Sequence, residues 1–314
     1  MTNAFIFPGQ GSQAVGMGRA LADRVPSAAR IFEEVDDALG ERLSGLIFEG
    51  PEDALTLTRN AQPALLAASM AALAALREEG IDVATHAAYV AGHSLGEYSA
   101  LTAAGSLALA DAARLLRIRG DAMQESVPAG QGAMAALLGL DLDAARAIAE
   151  EAAGDDVCQA ANDNAPGQVV VSGDRAAVAR AVEIAKGRGA RRAMMLAVSA
   201  PFHCALMSPA AEVMADALAK VHIHPPVVPV VANVLAAPLA DPTQIRQRLV
   251  EQVTGTVRWR ESIAWLASNG VGRFVEIGAG KVLSGLAKRI APDAETMAAG
   301  TPEEAAEVAA KLKA

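Results

Sequence analysis

With two cysteines in 314 residues, the chain has no disulfide framework, and Cys158 and Cys204 lack metal-site spacing. That usage suits a reducing cytoplasm. Basic residues are the minority, 27 Lys and Arg against 36 Asp and Glu. The resulting net charge of −9 argues against a nucleic-acid binder, which needs a basic face to release counterions from phosphates. No apolar run is long enough for a bilayer: the longest, residues 64–76, is rich in alanine and falls short of the ~20 residues a spanning helix requires. It reads as a core helix closed by Gly80. Residues 1–8 hold no basic segment ahead of an apolar stretch, so no signal peptide is expected. What the chain does have is apolar mass, 52% of its residues, enough to bury a large core in one large domain or two linked ones.

Strand and helix signals alternate along it. Residues 3–7 read as strand, 14–39 as helical, 87–91 as strand, then 97–104 and 111–126 as helices. The pattern breaks at Val127-Pro128-Ala129-Gly130. Beyond it come a strand at 132–140, a helix at 141–153, strands at 157–162 and 168–171, a helix at 175–186 and a strand at 192–198. That β-α-β-β-α-β order is a ferredoxin-like split motif. The earlier pattern then resumes, with helices at 205–220, 244–252 and 260–268, strands at 227–231 and 273–277, and a last helix. Thr301 as N-cap, Pro302 in the first turn and Glu304 completing a capping box mark where that helix starts. The expected fold is α/β: an α/β-hydrolase-like large domain (1–127 and 199–314) with a short, mainly parallel sheet, carrying an inserted ferredoxin-like small domain (128–198).

The strand at 87–91 runs into Gly92-His93-Ser94-Leu95-Gly96, followed at once by a small-residue helix. A Gly-x-Ser-x-Gly elbow turns so tightly that a Cβ on either side would clash, and it lifts the serine hydroxyl above the sheet. Ser94 is therefore a candidate nucleophile, with the Leu95 N–H at the positive end of a helix as a candidate oxyanion donor. Gly278-Ala279-Gly280-Lys281 lacks the spacing of a phosphate-binding loop. The glycines at 9, 11 and 16 do not make a dinucleotide fingerprint either.

A serine needs a base, and histidine is the usual choice near neutral pH. His93 adjoins Ser94, where side chains diverge, and is better placed to brace the turn. His86 lies on the far side of its strand, and His222 and His224 alternate onto one surface. That leaves His203 as the favoured base, at the return from the insertion. In the helical segment that follows the elbow helix, Leu109, Ala112, Ala113, Leu116 and Met123 share an apolar arc. Arg114 and Arg117 point away from that arc, but Arg119 does not. A buried arginine needs an acceptor: either a protein Asp or Glu, or the carboxylate of a substrate. Cys204 reads as a buried structural thiol.

Several further segments accompany these: FPGQGSQ at 7–13, NAQPALL at 60–66, GHSLGEYSAL at 92–101, RG-x-AMQE at 119–125, NAPGQVVVSG at 164–173, PFHCALM at 201–207, VRW at 257–259 and EIGAGKVL at 276–283. Together, and in this order over almost the whole chain, they resemble the malonyl-CoA:acyl carrier protein transacylase family. The resemblance implies an [acyl-carrier-protein] S-malonyltransferase of fatty acid or polyketide synthesis. In it Ser94 accepts the acyl group, His203 is the base and Arg119 binds the malonyl carboxylate. It further implies the Gln10 and Leu95 N–H groups as oxyanion donors, the Gln252 main-chain carbonyl as the group orienting His203, and Asn162 and Gln168 in the small-domain wall of the cleft. Malonyl-CoA and holo-acyl carrier protein are the implied partners, with no cofactor, no nucleic acid and no membrane, in a cytoplasmic monomer. Phe202, where related transacylases often carry serine, points to malonyl rather than methylmalonyl groups, as in similar polyketide acyltransferase domains. An acidic carrier protein would call for a basic patch at the cleft mouth, with Arg191, Arg192 and Lys281 as candidates. A serine hydrolase or thioesterase would use the same nucleophile and base; a non-enzymatic scaffold would use neither.

Overall fold

The computed structural model describes residues 1–314 and arranges them on two β-sheets. Ten strands take part: β1 (Thr2–Phe7), β2 (Tyr89–Gly92), β3 (Gly132–Leu138), β4 (Cys158–Ala165), β5 (Gln168–Asp174), β6 (Arg192–Met195), β7 (Val230–Ala232), β8 (Ala237–Leu239), β9 (Val271–Ile277) and β10 (Glu295–Ala299). The larger sheet has the order β10-β9-β1-β2-β7-β8. Its neighbours are parallel except for β7 and β8. Helices cover both faces, so β1 sends Phe5 and Phe7 into one apolar cluster and Ala4 and Ile6 into another. This is the two-residue alternation of a strand buried on both sides.

The first of those clusters is organised by the helix Thr58–Glu78, buried at every position from Ala61 to Leu76. A helix apolar on all sides is stable only in an interior. Gly80 (φ +76°) follows it, and the Ile81 N–H donates back to the Leu76 carbonyl at 2.9 Å, closing the end as the sequence predicts. Pro63 removes the N–H that would have reached the Arg59 carbonyl. That carbonyl accepts from Arg117 Nη1 at 2.7 Å instead. Arg117 is thus not the surface residue its helix position suggests; its side chain is only 12% exposed.

The second sheet, β4-β5-β3-β6, is wholly antiparallel. With its two helices, Leu142–Ala153 and Arg175–Gly187, it forms the expected β-α-β-β-α-β unit. Val169 and Val171 pack on those helices in a separate core. Val170 and Met134 face the other way, into a cavity shared with the large sheet. Main-chain bonds tie the layers together: Asp163 N–H to the Val257 carbonyl and Val257 N–H to the Ala161 carbonyl, both 2.9 Å. Arg260 Nε adds a fork onto the Asp163 carboxylate at 2.9 and 3.1 Å.

Several elements differ from the sequence reading. Residues 14–18 are turns rather than helix, because Gly16 and Gly18 sit at positive φ. β6 stops at Met195, and β7 is three residues long. Helices at Leu43–Glu49, Glu52–Thr56 and Val282–Ile290, with β8 and β10, were not expected. At the last helix, Thr301 Oγ accepts from the Glu304 N–H at 3.2 Å, but Glu304 reaches back to the Gly300 N–H at 2.9 Å, one residue earlier than a capping box would have it. No helix is long and apolar enough to cross a membrane.

Candidate active site

β1 and β2 end level with one another, Phe7 beside Gly92, so the loops leaving them meet above the sheet. A Cβ on Gly92 would lie 1.9 Å from the Gly96 carbonyl oxygen, and one on Gly96 would lie 2.3 Å from that of Phe7. Both elbow glycines are therefore required by contact. Ser94 takes φ +55°, which costs a residue with a Cβ about 1–2 kcal/mol. Asn233, in the turn after β7, holds the strained turn from both sides. Its Oδ1 accepts from the Ser94 N–H at 2.7 Å and its Nδ2 donates to the Gly92 carbonyl at 2.7 Å. The N–H groups of Leu95 and Gln10 have no protein acceptor. Gln10 is held by its side chain instead, which accepts from Thr58 Oγ at 2.9 Å.

His203 also has positive φ, +59°, and is 4% exposed. Its Nε2 lies 2.8 Å from Ser94 Oγ, and its Nδ1 lies 2.8 Å from the Gln252 main-chain oxygen. A carbonyl can only accept, so the proton sits on Nδ1 and the Nε2 lone pair faces the serine. Burial, then the nearby positive charge of Arg119, push the imidazole down to about 3. It is therefore neutral at pH 7. Next to it, Cys204 is fully buried and donates to the Pro201 carbonyl at 3.2 Å.

Arg119 is 1% exposed, lying 5.8 Å from the Tyr98 ring centroid. Gly120 lets its helix approach Arg59 so closely that a Cβ would come within 2.6 Å of the Arg59 Cα. Arg119 Nη1 donates to Gln62 Oε1 at 2.7 Å, and Nη2 donates to Gln252 Oε1 at 2.9 Å and to Ser94 Oγ at 3.1 Å. All three acceptors are uncharged, and Nε has none. The buried ion pair that could have explained this arginine is absent. Burial lowers its pKa, while Tyr98 and Glu97 oppose that shift; a guanidinium is ionised throughout the working range in any case.

Ser94, His203, Arg119, Gln10, Gln62, Phe202 and Asn162 share one cavity of about 330 Å³. The small sheet walls it with Met134, Asn162, Asn164 and Val170. His93 does brace the elbow: its Nε2 lies 2.8 Å from Asn164 Oδ1, and its ring packs on Trp259 at 5.6 Å. Gln168 lies farther along the small-domain wall. It starts β5 two residues before Val170, about 7 Å along the strand. There its Oε1 accepts from Arg289 Nη1 outside the cavity. Lys281 pairs with Glu304 at 2.7 Å and lines a different hollow. Arg191 and Arg192 are exposed. His222 and His224 meet edge to face, ring centroids 4.2 Å apart, away from the cavity. A larger groove, about 530 Å³ and lined by Arg146, Glu150 and Asp156, holds no nucleophile–base pair.

Four contributors escaped sequence reasoning: Gln62, Asn233, Glu97 and the Gln252 side chain. Glu97 left the clearest signal, a single carboxylate in an otherwise uncharged, buried helix. Chemically, a hydroxyl that donates to a neutral imidazole while accepting from a guanidinium can form an ester with an acyl group that itself carries an anion.

Residues 4–306 match the family model for the acyl transferase domain. The chain is 49% identical to the malonyl CoA-acyl carrier protein transacylase of Bacillus subtilis, over 96% of this chain and 94% of that protein. The crystal structure of the acyl-carrier-protein-S-malonyltransferase from Bartonella henselae superposes with a TM-score of 0.98, at 54% identity and full coverage of both chains. A malonyl-transacylase solved in complex with its type II PKS acyl-carrier protein matches with a TM-score of 0.96. It is 42% identical and covers 99% of this chain and 100% of its own.

Proposed function

The chain belongs to the malonyl CoA-acyl carrier protein transacylase family of acyl transferases, and on that premise we propose that it moves malonyl groups from malonyl-CoA to the phosphopantetheine thiol of holo-acyl carrier protein. The observation that carries the reading is the pair of contacts at Ser94 Oγ, 2.8 Å from His203 Nε2 and 3.1 Å from Arg119 Nη2. Nucleophile, base and carboxylate clamp share one atom's surroundings.

In the first half-reaction, His203 Nε2 takes the Ser94 proton as Oγ attacks the thioester carbonyl. The Leu95 and Gln10 N–H groups receive the oxyanion, each such donor contributing about 3–4 kcal/mol in the transition state. The C–S bond then breaks, and CoA leaves as a thiol carrying the proton from His203. In the second half, His203 accepts the proton of the carrier thiol, whose sulfur attacks the malonyl-serine ester. Ser94 departs and regains its proton. Arg119 grips the free malonyl carboxylate by charge-assisted bonds worth about 1.5–3 kcal/mol each. Phe202 narrows the space beside the malonyl α-carbon. Residues 128–198 act as an inserted domain that walls the cleft with Asn162. All steps use the chain's own groups, require no cofactor, and belong to a cytoplasmic enzyme.

Substituting Arg119 by alanine tests the clamp: malonyl transfer should fall far more than acetyl transfer, and equal losses would reduce Arg119 to a structural part.

A further inference from the structure

We infer that Glu97, acting through the side-chain amide of Gln252, is a positioning residue that holds Arg119 in the orientation an anionic acyl group requires. This inference rests on the malonyl-transfer reading. Glu97 stands in the first turn of the helix Gly96–Ala103, 2% exposed, among residues that are otherwise small or apolar. A carboxylate so deeply placed needs partners. It has two, and neither is a cation: Oε2 accepts from Gln252 Nε2 at 2.8 Å and from the Asn233 N–H at 3.1 Å. The Gln252 amide continues toward the site. Its Nε2 also donates to the Ser94 main-chain oxygen at 3.0 Å, and its Oε1 accepts from Arg119 Nη2 at 2.9 Å.

The chemistry of the two ends sets the direction of that amide. An ionised carboxylate only accepts, so it must face the NH₂ group; a guanidinium only donates, so it must face the oxygen. Reversing the amide would break both contacts and set two donors against each other. The charge of Glu97 thus reaches Arg119 as an oriented dipole rather than as an ion pair, leaving the guanidinium without a carboxylate of its own. A salt bridge in that place would compete with the malonyl carboxylate. The same amide touches the Ser94 main chain, so clamp and nucleophile are held by one side chain. Burial raises the Glu97 carboxyl to about 7, against the pull of Gln252, Asn233 and Arg119, and the ionised form is the one this arrangement uses.

The test is Glu97→Gln, which keeps the size but can donate as well as accept and so no longer dictates how Gln252 points. Quenched time courses of Ser94 acylation, followed by intact mass, compare malonyl-CoA with acetyl-CoA above pH 7.5. Malonyl kcat/KM should fall by about tenfold, mainly through KM, and acetyl by no more than about threefold. Gln252→Met, which keeps the main-chain carbonyl facing His203, should show the same malonyl-weighted loss. Glu97→Gln added to Arg119→Ala should change the malonyl-to-acetyl ratio no further. Equal losses for both acyl groups in a folded variant, or a further ratio change in the Arg119→Ala background, would overturn the role of Glu97. Absence of any malonyl ester on the unsubstituted enzyme would instead overturn the transfer reading itself.

Discussion

Two strand-to-helix turns stand at the carboxyl ends of parallel strands in the large sheet, one strand apart, and they differ in which residue takes the strained conformation and what lies beside the free donors. After β9, Gly278 (φ +131°) and Gly280 (φ +79°) take the unusual conformations. Glu276 then caps the following helix, accepting from the Leu283 N–H at 3.0 Å and the Ser284 N–H at 2.7 Å. Those two donors are spent internally, and Lys281 nearby is tied to Glu304. After β2 the unusual conformation falls on Ser94 itself, and the Leu95 N–H is left without a protein acceptor. Both turns are rich in glycine, but only the second sets a free N–H beside a serine held by an imidazole. A glycine-rich turn becomes a reactive site when its free donor adjoins an activated nucleophile.

The sharpest break of that comparison is a methyl group. Gly92→Ala should cost more than about 4 kcal/mol or prevent folding, since its Cβ meets backbone at 1.9 Å and cannot relax. Gly280→Ala should cost only about 1–2 kcal/mol, the price of its φ, because its nearest neighbour is Ser12 Cβ at 3.6 Å. Chemical denaturation of both variants measures the gap. Next in size, His203→Ala should slow malonylation of Ser94 by about 10²–10⁴-fold, read by quenched intact-mass time courses. Glu276→Ala should destabilise by about 1–3 kcal/mol, by orphaning buried helix donors, while the rate of Ser94 malonylation stays as it was; a fall in that rate would mean that the two turns are not independent.

The smallest effect is a shift in pH dependence. Burial and Arg119 both depress His203, and a depressed base loses its function only when pH falls to its lowered pKa. The acetyl-CoA kcat/KM profile of the unsubstituted enzyme should therefore show no His203 limb between pH 5 and 7. In Arg119→Ala one source of depression is gone, so the acid limb should move to higher pH. An unchanged profile would mean that burial alone sets the pKa.

The elbow was legible in the sequence because its demands are local: two glycines flank a serine between a strand and a helix. His203 emerged by elimination and Arg119 from its place on an apolar helix face, and the structure brings both to Ser94. The side chains of Gln62, Asn233 and Gln252 were not legible, since their roles depend on three distant segments meeting above the sheet. Asn233 differs from any other turn asparagine only in lying beside residue 94. Gln168 shows the reach of a motif: its neighbours Asn164 and Val170 line the cavity, while its own side chain meets Arg289. In the fold, the strongly patterned elements were found. Those missed, such as β10 and the helix Val282–Ile290, are short, and tertiary packing decides them more than their own residues do.

The most direct measurement is the intact mass of the protein after brief mixing with malonyl-CoA, followed by addition of holo-acyl carrier protein. The mass should rise by one malonyl group located on Ser94, and that group should pass to the carrier thiol faster than it is lost to water. No adduct on Ser94, or an adduct released only to water, would contradict the reading of this elbow as a relay for malonate.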